Sequence, residues 1–112
     1  MISKELLSEV LNQKILSIKT PFNGRELGYI ERYNGIDEHN EHYVKINIYE
    51  LAHKCKEWVY KPSCYTLESY KDMYELNWKC NVVTNLEETL FTADTEPEAI
   101  FKACEWILNN KE

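Results

Sequence analysis

The feature that most constrains the fold is the junction at residues 92–100, where a strand pattern gives way to a helix pattern. Thr95 is a favourable N-cap, and Glu98 stands at the capping-box position. Pro97 falls in the first turn, where the missing N–H costs little. Apolar residues then recur at helical spacing: Ile100, Ala103, Cys104, Ile107 and Leu108. The pattern predicts a strand that leads directly into a helix docked by one apolar face.

The rest of the chain predicts two more helices and four more strands. Ser3 and Asn47 are the expected caps of these helices, and the second helix should end before Pro62. The segment from Ile15 to Ile18 fits either an extension of the first helix or another strand. All the predicted strands together are 27–33, 43–46, 64–70, 76–82 and 88–93.

The predicted architecture is α+β. The order helix-strand-strand-helix-strand-strand-strand-helix indicates a single sheet of about five strands covered by helices. A chain of 112 residues has the length of one domain, so we expect one α+β domain over 1–112. We expect no internal repeat.

The distribution of charge favours some functions over others. The net charge is −6, and the acids are concentrated after Thr84. We identify no basic stripe, which disfavours direct nucleic-acid binding and leaves an acidic mimic of nucleic acid as an alternative. Without a long apolar run or a signal peptide, we expect no membrane association and a cytoplasmic location with reduced thiols.

Two segments resemble proteins of mobile genetic elements. The strand followed by Thr-Glu-Pro-Glu-Ala-Ile-Phe-Lys-Ala at 95–103 resembles the C-terminal end of small phage and prophage proteins. Asn47–Ala52 is similar in style to small proteins of bacterial mobile elements. The resemblance, mainly over 88–108, implies an α/β/α sandwich domain and a phage or prophage setting. It implies no catalytic residues.

The best candidate for a binding surface lies on the second helix. Tyr49, His53, Lys56 and Tyr60 follow helical spacing on a face away from the apolar stripe around Leu51. Tyrosine is enriched at interfaces because it combines apolar area with a polar tip. The alternative is packing under the first helix or under the predicted hairpin. Tyr65, Tyr70 and Tyr74 predict a similar surface on the sheet.

The candidate chemistry is sparse. His39 and His42, beside carboxylates, are the main candidate metal ligands, and His53 on the second helix is considered in the same way. Cys64 is the one cysteine whose orientation the pattern does not define. Cys55, Cys80 and Cys104 fall on apolar faces, where thiols behave as small hydrophobes.

We expect no cofactor. The sequence favours a non-enzymatic protein-interaction module that binds a protein partner, with a homodimer or inhibition of a host enzyme among the options. The alternative is a small metal- or thiol-dependent enzyme.

Overall fold

The computed structural model describes residues 2–22, 25–32, 41–60, 65–84 and 87–110. The predicted α+β class is confirmed, and the predicted helices and strands lie close to the observed ones. Their observed order and bounds are α1 (Lys4–Leu11), β1 (Lys14–Phe22), β2 (Glu26–Arg32), β3 (Glu41–Asn47), α2 (Ile48–Tyr60), β4 (Thr66–Asp72), β5 (Asn77–Val83), β6 (Glu88–Ala93) and α3 (Glu96–Asn110).

The predicted single sheet of about five strands is wrong, because the strands form two separate antiparallel sheets of three. One sheet has the order β1-β2-β3 and the other β4-β5-β6. The additional strand is β1, which takes the ambiguous segment from Ile15 to Ile18. Helix α1 ends before it because Asn12 adopts a left-handed conformation (φ 53°) and donates its N–H to the Ser8 carbonyl.

The element order contains a repeat that we did not expect. Three antiparallel strands followed by a helix occur twice, as β1-β2-β3-α2 and β4-β5-β6-α3. The helices share a sequence pattern, since Trp58 and Trp106 stand at the same distance from their caps, each preceded by glutamate and followed by an aliphatic residue. The structure is therefore built from two units of one topology.

The N-caps and the apolar stripe of α2 are as predicted, whereas α3 buries Ala99 and Phe101 beyond its predicted face and leaves Leu108 only partly buried. Leu6 donates its N–H to the Ser3 hydroxyl at 3.1 Å, and Tyr49 donates to Asn47 Oδ1 at 2.8 Å. The buried side of α2 is the predicted stripe, made by Ile48, Leu51, Ala52, Cys55 and Val59. These local features are correct because capping and helical periodicity depend on neighbouring residues alone.

Helices and sheets form two layers around one core. The Cα positions span 50 × 34 × 17 Å, and layers pack about 10 Å apart, so a third layer would exceed the smallest dimension. The helices therefore lie on one side and both sheets on the other. The largest fully buried side chains include Leu6, Leu27, Leu51, Ile100, Phe101 and Val82. None of the helices that the structure describes is long and apolar enough to cross a membrane.

Candidate functional site

Three of the four predicted interaction residues border one groove between α2 and the start of α3. Tyr49, His53 and Lys56 lie along α2, and Glu96 faces them from the first turn of α3. The groove has a volume of about 210 Å³, and Ala52 and Ile100 supply its apolar lining. Because the groove is small and shallow, it suits single side chains of a partner better than a whole small-molecule ligand.

A chain of hydrogen bonds links the groove to β4. Lys56 Nζ donates to Ser69 Oγ at 3.0 Å, and Ser69 Oγ donates to Glu96 Oε2 at 3.4 Å. This arrangement does not make Lys56 the base of a serine–lysine pair, because such a base must accept the hydroxyl proton. Here the Lys56 ammonium is the donor, and the hydroxyl proton is directed to a carboxylate.

Tyr60 lies apart from the groove, so the structure does not bring all four predicted residues together. Its hydroxyl donates to the Leu67 carbonyl at 3.1 Å, which ties the end of α2 to β4. Tyr49 is 61% exposed and Tyr60 is also more than half exposed. The alternative prediction, that these two tyrosines pack under α1 or under the β2–β3 hairpin, is therefore wrong for both.

The structure places three thiols where nucleophilic chemistry is disfavoured. Cys55, Cys80 and Cys104 are free and buried, as predicted. Burial raises the pKa of Cys80 to about 12. Hydrogen bonding with Cys55 and then burial raise the pKa of Cys104. Cys80 and Cys104 therefore stay protonated at neutral pH, whereas a cysteine nucleophile acts as the thiolate. Cys64 lies outside the described residues.

The predicted metal ligands lie only partly within the described residues. His39 lies outside the described residues, and His42 is exposed at the start of β3. Among the residues that the structure describes, no group of three or more histidine, cysteine or carboxylate side chains is placed to hold a metal ion. The metal- or thiol-dependent enzyme remains an alternative prediction.

The three tyrosines that we expected on one sheet surface occupy different places. Tyr65 packs edge-on against Trp106, with ring centroids 6.2 Å apart. Tyr70 is half exposed on β4, and Tyr74 is 99% exposed in the turn that joins β4 to β5. We call residues 73–76 of this turn the hairpin tip. Met73 and Leu76 are also exposed there, at 73% and 70%.

Asp72 stabilises the backbone of the hairpin tip. Its Oδ1 accepts the N–H groups of Tyr74 at 2.8 Å and Glu75 at 3.1 Å. Lys79 Nζ lies 2.8 Å from Asp72 Oδ2 and 3.4 Å from Glu75 Oε2. Hydrogen bonds from Lys79 and from the two backbone N–H groups lower the pKa of Asp72 to about 2. The carboxylate is therefore ionised throughout the neutral range.

Leu76 has a strained backbone. Its φ of 58° lies in the left-handed region, where an L-residue costs roughly 1–2 kcal/mol. Its N–H donates to the Asp72 carbonyl at 2.8 Å, which keeps it in the turn. Sequence reasoning did not identify the tip as a site. The available signal was Asp72, which favours such turns, followed by three large apolar residues within four positions.

Comparisons with protein-family models, with curated proteins and with solved structures found no match. The resemblance to phage and prophage proteins therefore stays a prediction.

Proposed function

We propose that the protein is a non-enzymatic protein-binding module of phage or mobile-element origin, with the hairpin tip as its main contact. The observation that carries this proposal is the exposure of Met73, Tyr74 and Leu76 on a turn whose backbone is bonded to Asp72. Exposed apolar clusters on soluble proteins mark interaction sites more often than scattered apolar residues do. Backbone strain at Leu76 supports the same reading, since strained residues concentrate at functional positions.

The energetics of the tip suit an anchor for a partner. Full burial of an apolar side chain of this size is worth roughly 1.5–3 kcal/mol. Three such side chains supply an appreciable part of the roughly 8 kcal/mol that a micromolar complex requires. Because Asp72 and Lys79 already hold the turn, little further entropy is lost when a partner binds.

The charges next to the tip indicate the chemistry of the partner. Asp72 and Glu75 disfavour insertion into an anionic membrane surface. The tip suits an apolar pocket on a protein, with cationic groups at its rim. The groove residues Tyr49, His53 and Lys56 are a second contact surface in this proposal, and inhibition of a host enzyme is one outcome that such binding would have.

Affinity capture from host lysate with matched variants tests the proposal. The test variant is Met73→Ser with Tyr74→Ser, which leaves Asp72, Glu75 and Lys79 in place. The control is Tyr43→Ser, which alters an exposed tyrosine on β3 outside both surfaces, and Tyr49→Ser tests the groove separately. We expect a protein that is captured by the wild type and by the control but lost by the tip variant. A partner retained by the tip variant and lost by Tyr49→Ser would instead assign binding to the groove.

A further inference from the structure

The two sheets present outer faces of opposite charge. Leu27, Tyr29 and Ile46 point into the core, so alternate residues of β1, β2 and β3 point away from it. We call the outer side of this sheet the basic face. Four cations and two carboxylates give it a net charge of +2; they are Lys14, Lys19, Arg32, Lys45, Glu26 and Glu41.

The sheet of β4, β5 and β6 has the opposite balance. Leu67, Cys80 and Val82 are buried, so the alternate residues again point outward. We call this outer side the acidic face. Three carboxylates and one cation give it a net charge of −2; they are Glu68, Asp72, Glu88 and Lys79. A chain of net charge −6 thus carries a local basic surface that the composition alone conceals.

Each face also has exposed apolar side chains, which lie on the outer strands β3, β4 and β6. On the basic face, Tyr43 is 56% exposed and lies across Gly28, where any side chain would collide with its ring. On the acidic face, Tyr70 and Leu90 are both about half exposed. Exposed aromatic and apolar side chains beside charged residues are common in protein–protein contacts.

Both faces lie on the same side of the molecule, because the helices form the other layer. We propose that two copies of this chain associate face to face through their sheets, in antiparallel orientation. A twofold axis then places each basic face on the partner's acidic face, so the same complementary contact forms twice and the dimer is closed. This inference uses different residues from the hairpin tip and does not depend on the proposed function.

The size of the faces predicts a weak dimer. Three strands of about seven residues cover roughly 300 Å², so two faces give roughly 600 Å² for each copy. Stable complexes bury about 800 Å² on each partner. The contact should therefore depend on its charge complementarity and weaken as salt screens the exposed charges.

A nucleic acid is the other class of partner that a basic sheet face with an exposed tyrosine suggests. The acidic face on the same side disfavours it, because the phosphate backbone would meet Glu68 and Glu88 beyond the basic region. A second copy is complementary in charge to both faces, whereas a nucleic-acid strand is complementary only to the basic face.

Charge-swap variants of exposed residues test the dimer by sedimentation equilibrium at low and high salt. The first variant is Lys14→Glu with Lys19→Glu, and the second is Glu68→Lys with Glu88→Lys. We expect the wild type to dimerise at low salt and to dissociate at high salt. Each variant alone should be monomeric, their equimolar mixture should form a heterodimer, and the protein with all four changes should regain the homodimer.

Several outcomes would overturn the inference. A wild type that stays monomeric at high protein concentration and low salt would do so, as would assembly beyond the dimer. Failure of the two variants to associate with each other, with native thermal midpoints, would also contradict it. Binding of a labelled single-stranded oligonucleotide by the wild type would assign the basic face to nucleic acid. The variant Met73→Ser with Tyr74→Ser should dimerise normally, which separates this test from that of the hairpin tip.

Discussion

The docking of α3 can be tested by comparing two substitutions near its start. Ile100 is 1% exposed, and its side chain is packed into the core. Replacement by alanine removes roughly three methylene equivalents, worth about 2.4 kcal/mol at about 0.8 kcal/mol each. Measured costs of such changes range over roughly 2–5 kcal/mol, depending on the cavity that remains. Because Ile100 also lines the groove, the new space would open into it, and we expect about 2–3 kcal/mol.

Thr95→Ala should cost less. The Thr95 hydroxyl accepts the Glu98 N–H at 3.4 Å, a long hydrogen bond at an exposed position. Loss of an N-cap lowers the free energy of unfolding by roughly 0.5–2 kcal/mol. Because this hydrogen bond is long and exposed, we expect the cost of Thr95→Ala to lie near the lower end of that range. In the described part of the chain, Glu98 does not return a side-chain bond to the Thr95 N–H, so the capping box is only half formed. Glu98→Gln should therefore have little effect.

Urea denaturation of the three variants measures these differences as changes in midpoint at constant slope. The expected order of cost is Ile100→Ala, then Thr95→Ala, then Glu98→Gln. A neutral Ile100→Ala together with a severe Thr95→Ala would refute the assigned packing, since α3 would then depend on its cap rather than on its buried face.

Three further predictions concern titration, thiols and metal. The folded pKa of Asp72, lowered to about 2 from 3.8, means that its contribution to stability is present above pH 3.8 and lost as pH falls towards 2; Asp72→Asn should flatten this part of the stability–pH curve. A thiol reagent should react slowly with Cys55, Cys80 and Cys104 in folded protein and quickly after denaturation, whereas fast labelling of all three would contradict their burial. Replacing His39 and His42 by alanine should leave the thermal midpoint unchanged; a divalent metal that raises the midpoint of the wild type alone would reveal a site there.

The sequence predicts features that depend on neighbouring residues along the chain. It does not predict features that depend on which strands pair with one another. The stripe from Ile48 to Val59 and the cap at Asn47 were predictable because helical spacing is local. The division into two sheets was not, because nothing local distinguishes a helical Ile15–Ile18 from an extended one, or sets which strands share a sheet.

The candidate site was predictable to the same limited extent. Helical spacing grouped Tyr49, His53 and Lys56, but Ser69 and Glu96 join them only through the packing of α2 on β4 and α3. The basic face needs the register of β1 on β2 before its charges can be grouped. Leu76 was missed because leucine is an unfavourable residue for the conformation that it adopts.

At position 76, folding stability and binding favour different residues. The left-handed backbone lowers stability when the residue is leucine, but only leucine provides the exposed apolar side chain. Glycine fits a φ of 58° without strain, and the exposed Leu76 side chain contributes little packing, so a laboratory screen for thermostable variants should favour glycine there. The same change would delete one of the three apolar groups of the hairpin tip. Selection for stability and selection for binding should therefore diverge at residue 76, and the residue that is recovered would report which of the two was applied.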